Sequence, residues 1–213
     1  MIGDKLVITD YHRAGATRIM EALGDRFARS SRLLTVTVAG ESGSGKSETA
    51  ACLAESLEAE GYVSVILAQD DYFKLPPKTN HRRREEEIEW VGPGEVRLDL
   101  MDEHLAALRS RPHEPLEKPL VDFHNDRIGS EVVRVEKLDV VIAEGTYTTL
   151  LSNADLRVFI DRNYRQTKRT RLARGRDPDM EFLEQVLEIE HGIISRHRER
   201  ADLILQPPPE ERS

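Results

Sequence analysis

Residues 40 to 47 read Gly40-Glu41-Ser42-Gly43-Ser44-Gly45-Lys46-Ser47, a full match to the phosphate-binding pattern G-x-x-x-x-G-K-[ST]. The residue types state the chemistry. Glycines let successive backbone N–H groups turn inward around phosphate oxygens, the Lys46 ammonium suits the β- and γ-phosphates, and the Ser47 hydroxyl suits Mg²⁺. An apolar β-rich run, residues 33–39 (LLTVTVA), leads into the loop, and a helix-forming stretch, residues 48–60 (ETAACLAESLEAE), leaves it. The positive end of a new helix therefore faces the anion. A flexible Gly/Ser linker would lack that strand–loop–helix context. The motif predicts a nucleoside triphosphate site, with ATP or GTP and Mg²⁺ as its ligands.

Two further places carry carboxylates where phosphoryl transfer would need them. Gln69-Asp70-Asp71-Tyr72-Phe73 closes the apolar run 63–68, and Glu144-Gly145-Thr146 closes the run 138–143. Transfer to an alcohol needs charge neutralisation at the moving phosphoryl and one carboxylate to take or orient the acceptor's proton. Asp70 is the candidate for that carboxylate, and Glu144 for organising Mg²⁺. A third feature is a dense basic run, Arg162, Arg165, Lys168, Arg169, Arg171, Arg174 and Arg176. It follows a strand end, and Arg174-Gly175-Arg176-Asp177 interrupts the helical pattern. These features favour a basic lid closing over the triphosphate rather than a solvated helix face. Arg82-Arg83-Arg84 followed by Glu85-Glu86-Glu87 reads instead as a solvated, charge-balanced segment.

The elements that must hold these groups are legible as short, nearly continuous apolar runs at residues 33–39, 63–68, 138–143 and 156–160, with a fifth at 203–205. Such runs suit parallel strands covered on both faces. Helical patterns lie between them: residues 98–108 keep Leu98, Met101, Leu105 and Leu108 together, and residues 180–197 do the same for Leu183, Val186, Leu187, Ile193 and Ile194. Strands alternating with helices argue for a doubly wound α/β sheet, with function at the carboxyl ends of its strands. Residues 1–32 precede the first core strand; a strand at 5–9 and a helix near 17–29 are expected there.

Composition narrows the class. The 213 residues suffice for one α/β domain, and 38% hydrophobic with 33% charged residues suits a well-solvated surface. A net charge of −8 offers no general attraction to nucleic acid or anionic membrane. No apolar run approaches the roughly 20 residues of a membrane span. The single Cys52 permits no internal disulfide and suits a reducing cytoplasm. His191 and His197 are six apart, too far for one helical metal pair, so no structural zinc is expected.

The order GESGSGKS, QDDYF, PLVDF, VVIAEG, ARGRD and RADLIL resembles the uridine kinase and phosphoribulokinase family of P-loop kinases over roughly residues 34–205. The resemblance implies a three-layer P-loop NTPase of nucleoside-kinase type, with a mostly parallel central sheet and an arginine-rich lid. It further implies transfer of the γ-phosphate of ATP or GTP to a small-molecule hydroxyl, with a pyrimidine nucleoside the first acceptor to consider. The family's catalytic aspartate aligns with Asp70 and its strand-end glutamate with Glu144. Its lid arginines align with Arg165, Arg169, Arg174 and Arg176, with Gln166 and Ala173 as departures. On this basis Lys46, Asp70, Arg169 and Arg174 are the catalytic candidates, while Arg165 and Arg176 join the loop residues on the donor.

The acceptor side is assigned to Asp70, Tyr72, Trp90, Asp122 and Phe123. There the departures concentrate. The family's base-facing Tyr and His stand as Val121 and Asp126, and its Phe-Asp-x-Pro, whose Asp holds ribose hydroxyls, as Trp90-Val91-Gly92-Pro93. Pantothenate or a sugar phosphate is the competing acceptor. The domain reading is an appended element at 1–32, a kinase domain at 33–206 and a frayed tail at 207–213; the resemblance, to tetramers and other assemblies, implies a homo-oligomer without fixing its state. A nucleotide-dependent ATPase or switch is the reading from another class, although no Asn-Lys-x-Asp guanine-reading element is present. A degenerate nucleotide-binding scaffold would not need an intact Lys46, Ser47, Asp70 and Glu144.

Overall fold

Strand β1 (Leu34–Gly40) is apolar or threonine up to its last residue, and all seven of its residues are buried. A strand so covered on both faces belongs in the middle of a sheet. The computed structural model, which describes residues 6–27, 32–111, 113–134, 137–168, 171 and 180–207, places it there. Among the described residues the main sheet has five strands, all parallel. Their order is Ser64–Ala68 (β2), Val140–Glu144 (β5), β1, Leu156–Ile160 (β6) and Leu203–Leu205 (β7).

Helices cover both faces. On one, α1 (Asp10–Phe27) buries Ala16, Ile19 and Leu23, and α2 (Lys46–Ala59) buries Leu53 and Leu57, against Val36, Val38, Ile142 and Ile160. The spacing of those α1 residues puts them on one stripe. On the other face, α4 (Leu98–Ser110) contributes Met101, Leu105 and Leu108, and α5 (Met180–Ile194) contributes Ile194, against Leu67, Val141, Ala143 and Phe159. Each buried Val, Leu, Ile, Met or Phe among them stabilises the fold by about 1.5–3 kcal/mol relative to leaving it exposed. This is the doubly wound architecture read from the alternating runs, with the three layers that the resemblance implies. No described helix is long and apolar enough to cross a membrane.

Three local features differ from the sequence expectation. Residues 6–9 form no strand, and Lys5 lies outside the described residues. Thr9 instead caps α1: its carbonyl accepts the N–H groups of His12 and Arg13, and its own N–H donates to the His12 ring. Helix α1 begins seven residues before the predicted start, and residue 29 is again outside the described set. Finally, β3 (Leu116–Asp122) and β4 (Arg127–Val133) form an antiparallel hairpin that no apolar run announced. Strand β4 is exposed or only half-buried along its length, so it has no hydrophobic signature. Pro119 is tolerated because the hairpin is all edge. The segment of Arg82–Arg84 lies on α3 (Pro77–Glu86), which opens with Pro at its first turn.

Candidate active site

The register of the parallel strands aligns the chemistry. Glu144, the last residue of β5, is the Cα partner of Val38 in β1 and of Ala68 in β2. Two residues past Val38 the phosphate loop begins, and two past Ala68 stands Asp70. With neighbouring strands roughly 4.8 Å apart, loop, Glu144 and Asp70 line one rim over about 10 Å.

The phosphate loop is closed by a Ser44 N–H to Glu41 carbonyl bond of 3.1 Å, and Lys46 Nζ donates to the same carbonyl at 3.0 Å. Gly43 and Gly45 have φ of 75° and 98°, the left-handed region that admits glycine most readily. Helix α2 starts at Lys46, so Ser47 sits in its first turn. The loop is fastened by side chains from outside the motif. Arg162, 7% exposed, donates to the Ser44 carbonyl at 3.3 Å, and Thr167 Oγ1 donates to the Ser42 carbonyl at 2.9 Å. The buried Glu41 carboxylate accepts the Tyr164 N–H and His191 Nδ1–H, each at 2.6 Å. The start of the basic segment, α5 and the loop therefore form one hydrogen-bonded unit.

Among the predicted lid residues, Arg165 is exposed, its Nε donating to the Tyr164 hydroxyl at 3.2 Å. Arg169, Arg174 and Arg176 lie outside the described residues. Arg171 packs its stem on Gly43, where a Cβ would stand 2.6 Å from Arg171 Cγ. A cavity of about 370 Å³ opens beside the loop, walled by Glu41, Arg162, Asn163, Gln166, His191 and Gln206 among others.

At the end of β2 a 3-10 turn, Gln69–Tyr72, separates two adjacent carboxylates. Asp70 is exposed on the rim. Asp71, 2% exposed, pairs with Lys118 Nζ at 2.8 Å and accepts the Val121 N–H at 3.0 Å, tying β2 to the hairpin. The turn is held to β5 as well. Gln69 Oε1 accepts the Tyr147 N–H at 2.7 Å, and a Cβ on Gly145 would lie 2.2 Å from Gln69 Cβ.

Tyr72 is corrected by the structure. Expected against the acceptor, it is fully buried with its hydroxyl 2.9 Å from His104 Nδ1. Burial, and then the neighbouring Asp71 charge, push its pKa up. Its ring belongs to the core cluster that holds Leu67, Met101 and Leu105.

The other acceptor candidates are placed around the hairpin and α3. Asp122 accepts the Asn125 side-chain amide at 2.7 Å and its N–H at 3.1 Å; those bonds lower its pKa and shape the β3–β4 turn. Phe123 is half-buried and meets His124 edge-on. Trp90 is half-buried, donating Nε1–H to Asn80 Oδ1 at 2.9 Å, with the Arg83 guanidinium 5.5 Å from its ring centre. Val121 is 1% exposed. Asp126 accepts the Lys78 N–H at 2.6 Å and the Thr79 hydroxyl at 2.8 Å. Its partial burial disfavours the charge, but those bonds outweigh it and lower the pKa.

Arg84 is the second correction. Far from solvated, it donates Nε–H to Glu95 at 2.6 Å and Nη2–H to Glu190 at 3.3 Å, while Glu95 also receives Asn80 and the Gly92 N–H. Burial raises the Glu190 pKa against the pull of Arg84. Arg82 and Arg83 are solvated as predicted; a charge run does not reveal which member turns inward.

Ser47 and Glu144 offer a hydroxyl and a carboxylate at the rim, the hard oxygen donors that Mg²⁺ takes. No group of three or more His, Cys, Asp or Glu side chains among the described residues is arranged to hold a metal by itself. Sequence reasoning missed that Tyr164, Thr167 and His191 bond to the loop. Their partners lie more than 120 residues away, and no local pattern marks such a contact.

The sequence profile of the Phosphoribulokinase / Uridine kinase family matches residues 35–212. A uridine kinase of Latilactobacillus sakei is 30% identical over 184 residues, covering 81% of this chain and 84% of its own. Among solved structures, phosphoribulokinase from Rhodobacter spheroides superposes with a TM-score of 0.64 at 10% identity, over 83% of this chain and 71% of that one. D-glycerate 3-kinase from Cryptococcus neoformans gives 0.60 at 17% identity over 87% of each.

Proposed function

The chain is a kinase belonging to the phosphoribulokinase/uridine kinase family, and on that premise we propose that it moves the γ-phosphate of ATP to a hydroxyl of a small acceptor, a pyrimidine nucleoside first. One observation carries the reading: strand register sets the phosphate loop, Glu144 and exposed Asp70 on one rim, while Asp71 is tied away in an ion pair. The loop N–H groups and Lys46 hold the β- and γ-phosphates. The acceptor hydroxyl gives its proton to Asp70 as its oxygen attacks the γ-phosphorus in line. The bond to the β-phosphate oxygen breaks and ADP leaves. Arg165, Arg169, Arg174 and Arg176 neutralise the transferring group. Ser47 and Glu144 would hold Mg²⁺, which when bound would supply further neutralisation of the phosphates. The 370 Å³ cavity beside Glu41 and Arg162 is of a size to take the donor's base. Trp90, Asp122 and Phe123 remain the acceptor-side candidates.

The L. sakei relative's name supports uridine as acceptor. A specific observation favours a second reading. Val121 is buried and Asp126 is occupied at the start of α3, at the two positions where the resemblance implies base-facing groups. A site without those polar partners discriminates poorly for a pyrimidine. Pantothenate or a sugar phosphate is the acceptor of that second reading.

ADP release with ATP and Mg²⁺, measured against uridine, cytidine, pantothenate and sugar phosphates, separates the readings. Turnover with a pyrimidine nucleoside supports the first, and turnover confined to another acceptor supports the second. Hydrolysis indifferent to every acceptor would overturn both in favour of an ATPase.

A further inference from the structure

Helix α1 precedes the kinase core, yet its first turn lies against the phosphate loop. The Thr9 N–H donates to His12 Nδ1 at 3.0 Å. A backbone N–H only donates, so Nδ1 presents its lone pair and the neutral ring carries its proton on Nε2. That Nε2 faces Gly45: a Cβ there would stand 2.5 Å from it and 2.8 Å from His12 Cδ2. Gly45 has φ of 98° and leads directly into Lys46 and α2. His12 is 7% exposed, so solvent does not account for its orientation. The neighbouring residue reinforces the contact. The Tyr11 ring meets His12 edge-on and lies 5.3 Å from the guanidinium of Arg162, which itself donates to the Ser44 carbonyl. Tyr11, His12 and Arg162, none of them in the motif, thus wrap residues 44–45.

We propose that His12 is a phosphate-contacting residue of the donor site, its Nε2–H donating to a phosphate oxygen of the nucleotide beside Gly45. The inference rests on the reading of residues 40–47 as the cradle of the donor's phosphates. It makes α1 a component of the nucleotide site. Thr9 fixes the ring's orientation and tautomer before the nucleotide arrives. Hydrogen bonds to charged acceptors are the stronger kind, so the contribution falls on phosphate affinity and not on the nucleoside.

The test is calorimetric titration of the full chain with Mg-ADP and, separately, with adenosine, for wild type, His12→Ala and His12→Gln. His12→Ala is expected to weaken Mg-ADP about 10- to 100-fold and to leave adenosine affinity unchanged. His12→Gln keeps an N–H donor of similar reach and is expected to restore most of the loss. Equal Mg-ADP affinity in His12→Ala and wild type would overturn the proposal. So would equal weakening in both variants, which would assign His12 to packing. Should His12→Ala fail to fold, the wild-type His12 Nε2–H resonance decides: it moves on adding Mg-ADP if phosphate accepts the proton, and an unmoved resonance overturns the contact. Wild type that binds no Mg-ADP would instead sink the reading of the loop itself.

Discussion

Adjacent aspartates with opposite fates show how finely a strand end sorts side chains. Asp71 is sealed against Lys118, and Asp70 is turned to the rim. Their roles therefore separate by experiment. Asp70→Asn is expected to lower kcat by about 10²- to 10⁴-fold, the usual worth of a positioned base. Donor affinity should stay within about twofold, since the Asn keeps size and shape and only proton acceptance is lost. Parallel steady-state kinetics and Mg-ADP titration check this; equal loss of both would remove Asp70 from the role of base. Breaking the Asp71–Lys118 pair would act on stability instead, because it strands a buried charge.

At the scale of elements, the hairpin and α3 are joined through one carboxylate. Asp126 has φ of 49°, a left-handed position that Asp and Asn tolerate better than most residues. From there it accepts the first N–H groups of α3, the service a side-chain cap gives from within a helix's own sequence. Asp126→Ala is expected to destabilise the protein by about 1 kcal/mol, and Asp126→Asn by less, in urea unfolding. The hairpin escaped sequence reasoning because β4 has no apolar alternation to read. Helix α2, by contrast, was placed within two residues of its start, since the loop motif, the absence of Gly or Pro and the apolar periodicity all agree there.

For the whole molecule, burial sets the response to acid. His104 and His197 both have their pKa lowered from the ordinary 6.5, burial being the first cause for each. In the unfolded chain they take protons below pH 6.5; in the folded protein they resist. The unfolded state then binds more protons, so their contribution to stability is present above pH 6.5 and is lost as the pH falls below it. Thermal unfolding at pH 7 and pH 5.5 should show a smaller drop in Tm for the His104→Gln/His197→Gln double variant than for wild type. Glu190, whose raised pKa acts in the opposite direction, is present in both proteins and cancels in the comparison. An identical drop would mean the two rings titrate normally in the fold.

Residue order alone makes legible the main strands, helices α2, α4 and α5, the phosphate loop and the carboxylates that close β2 and β5, because each is written in contiguous residues whose period or type has a local physical cause. The apolar content alone marks Leu156–Ile160 and Leu203–Leu205 to the residue. It takes the folded chain to show which of Asp70 and Asp71 faces the rim, that Tyr72 and Arg84 turn inward, and that His12, Thr167 and His191 close on the loop. Those outcomes depend on strand register and on partners far away in the chain, and neither leaves a trace in local residue order.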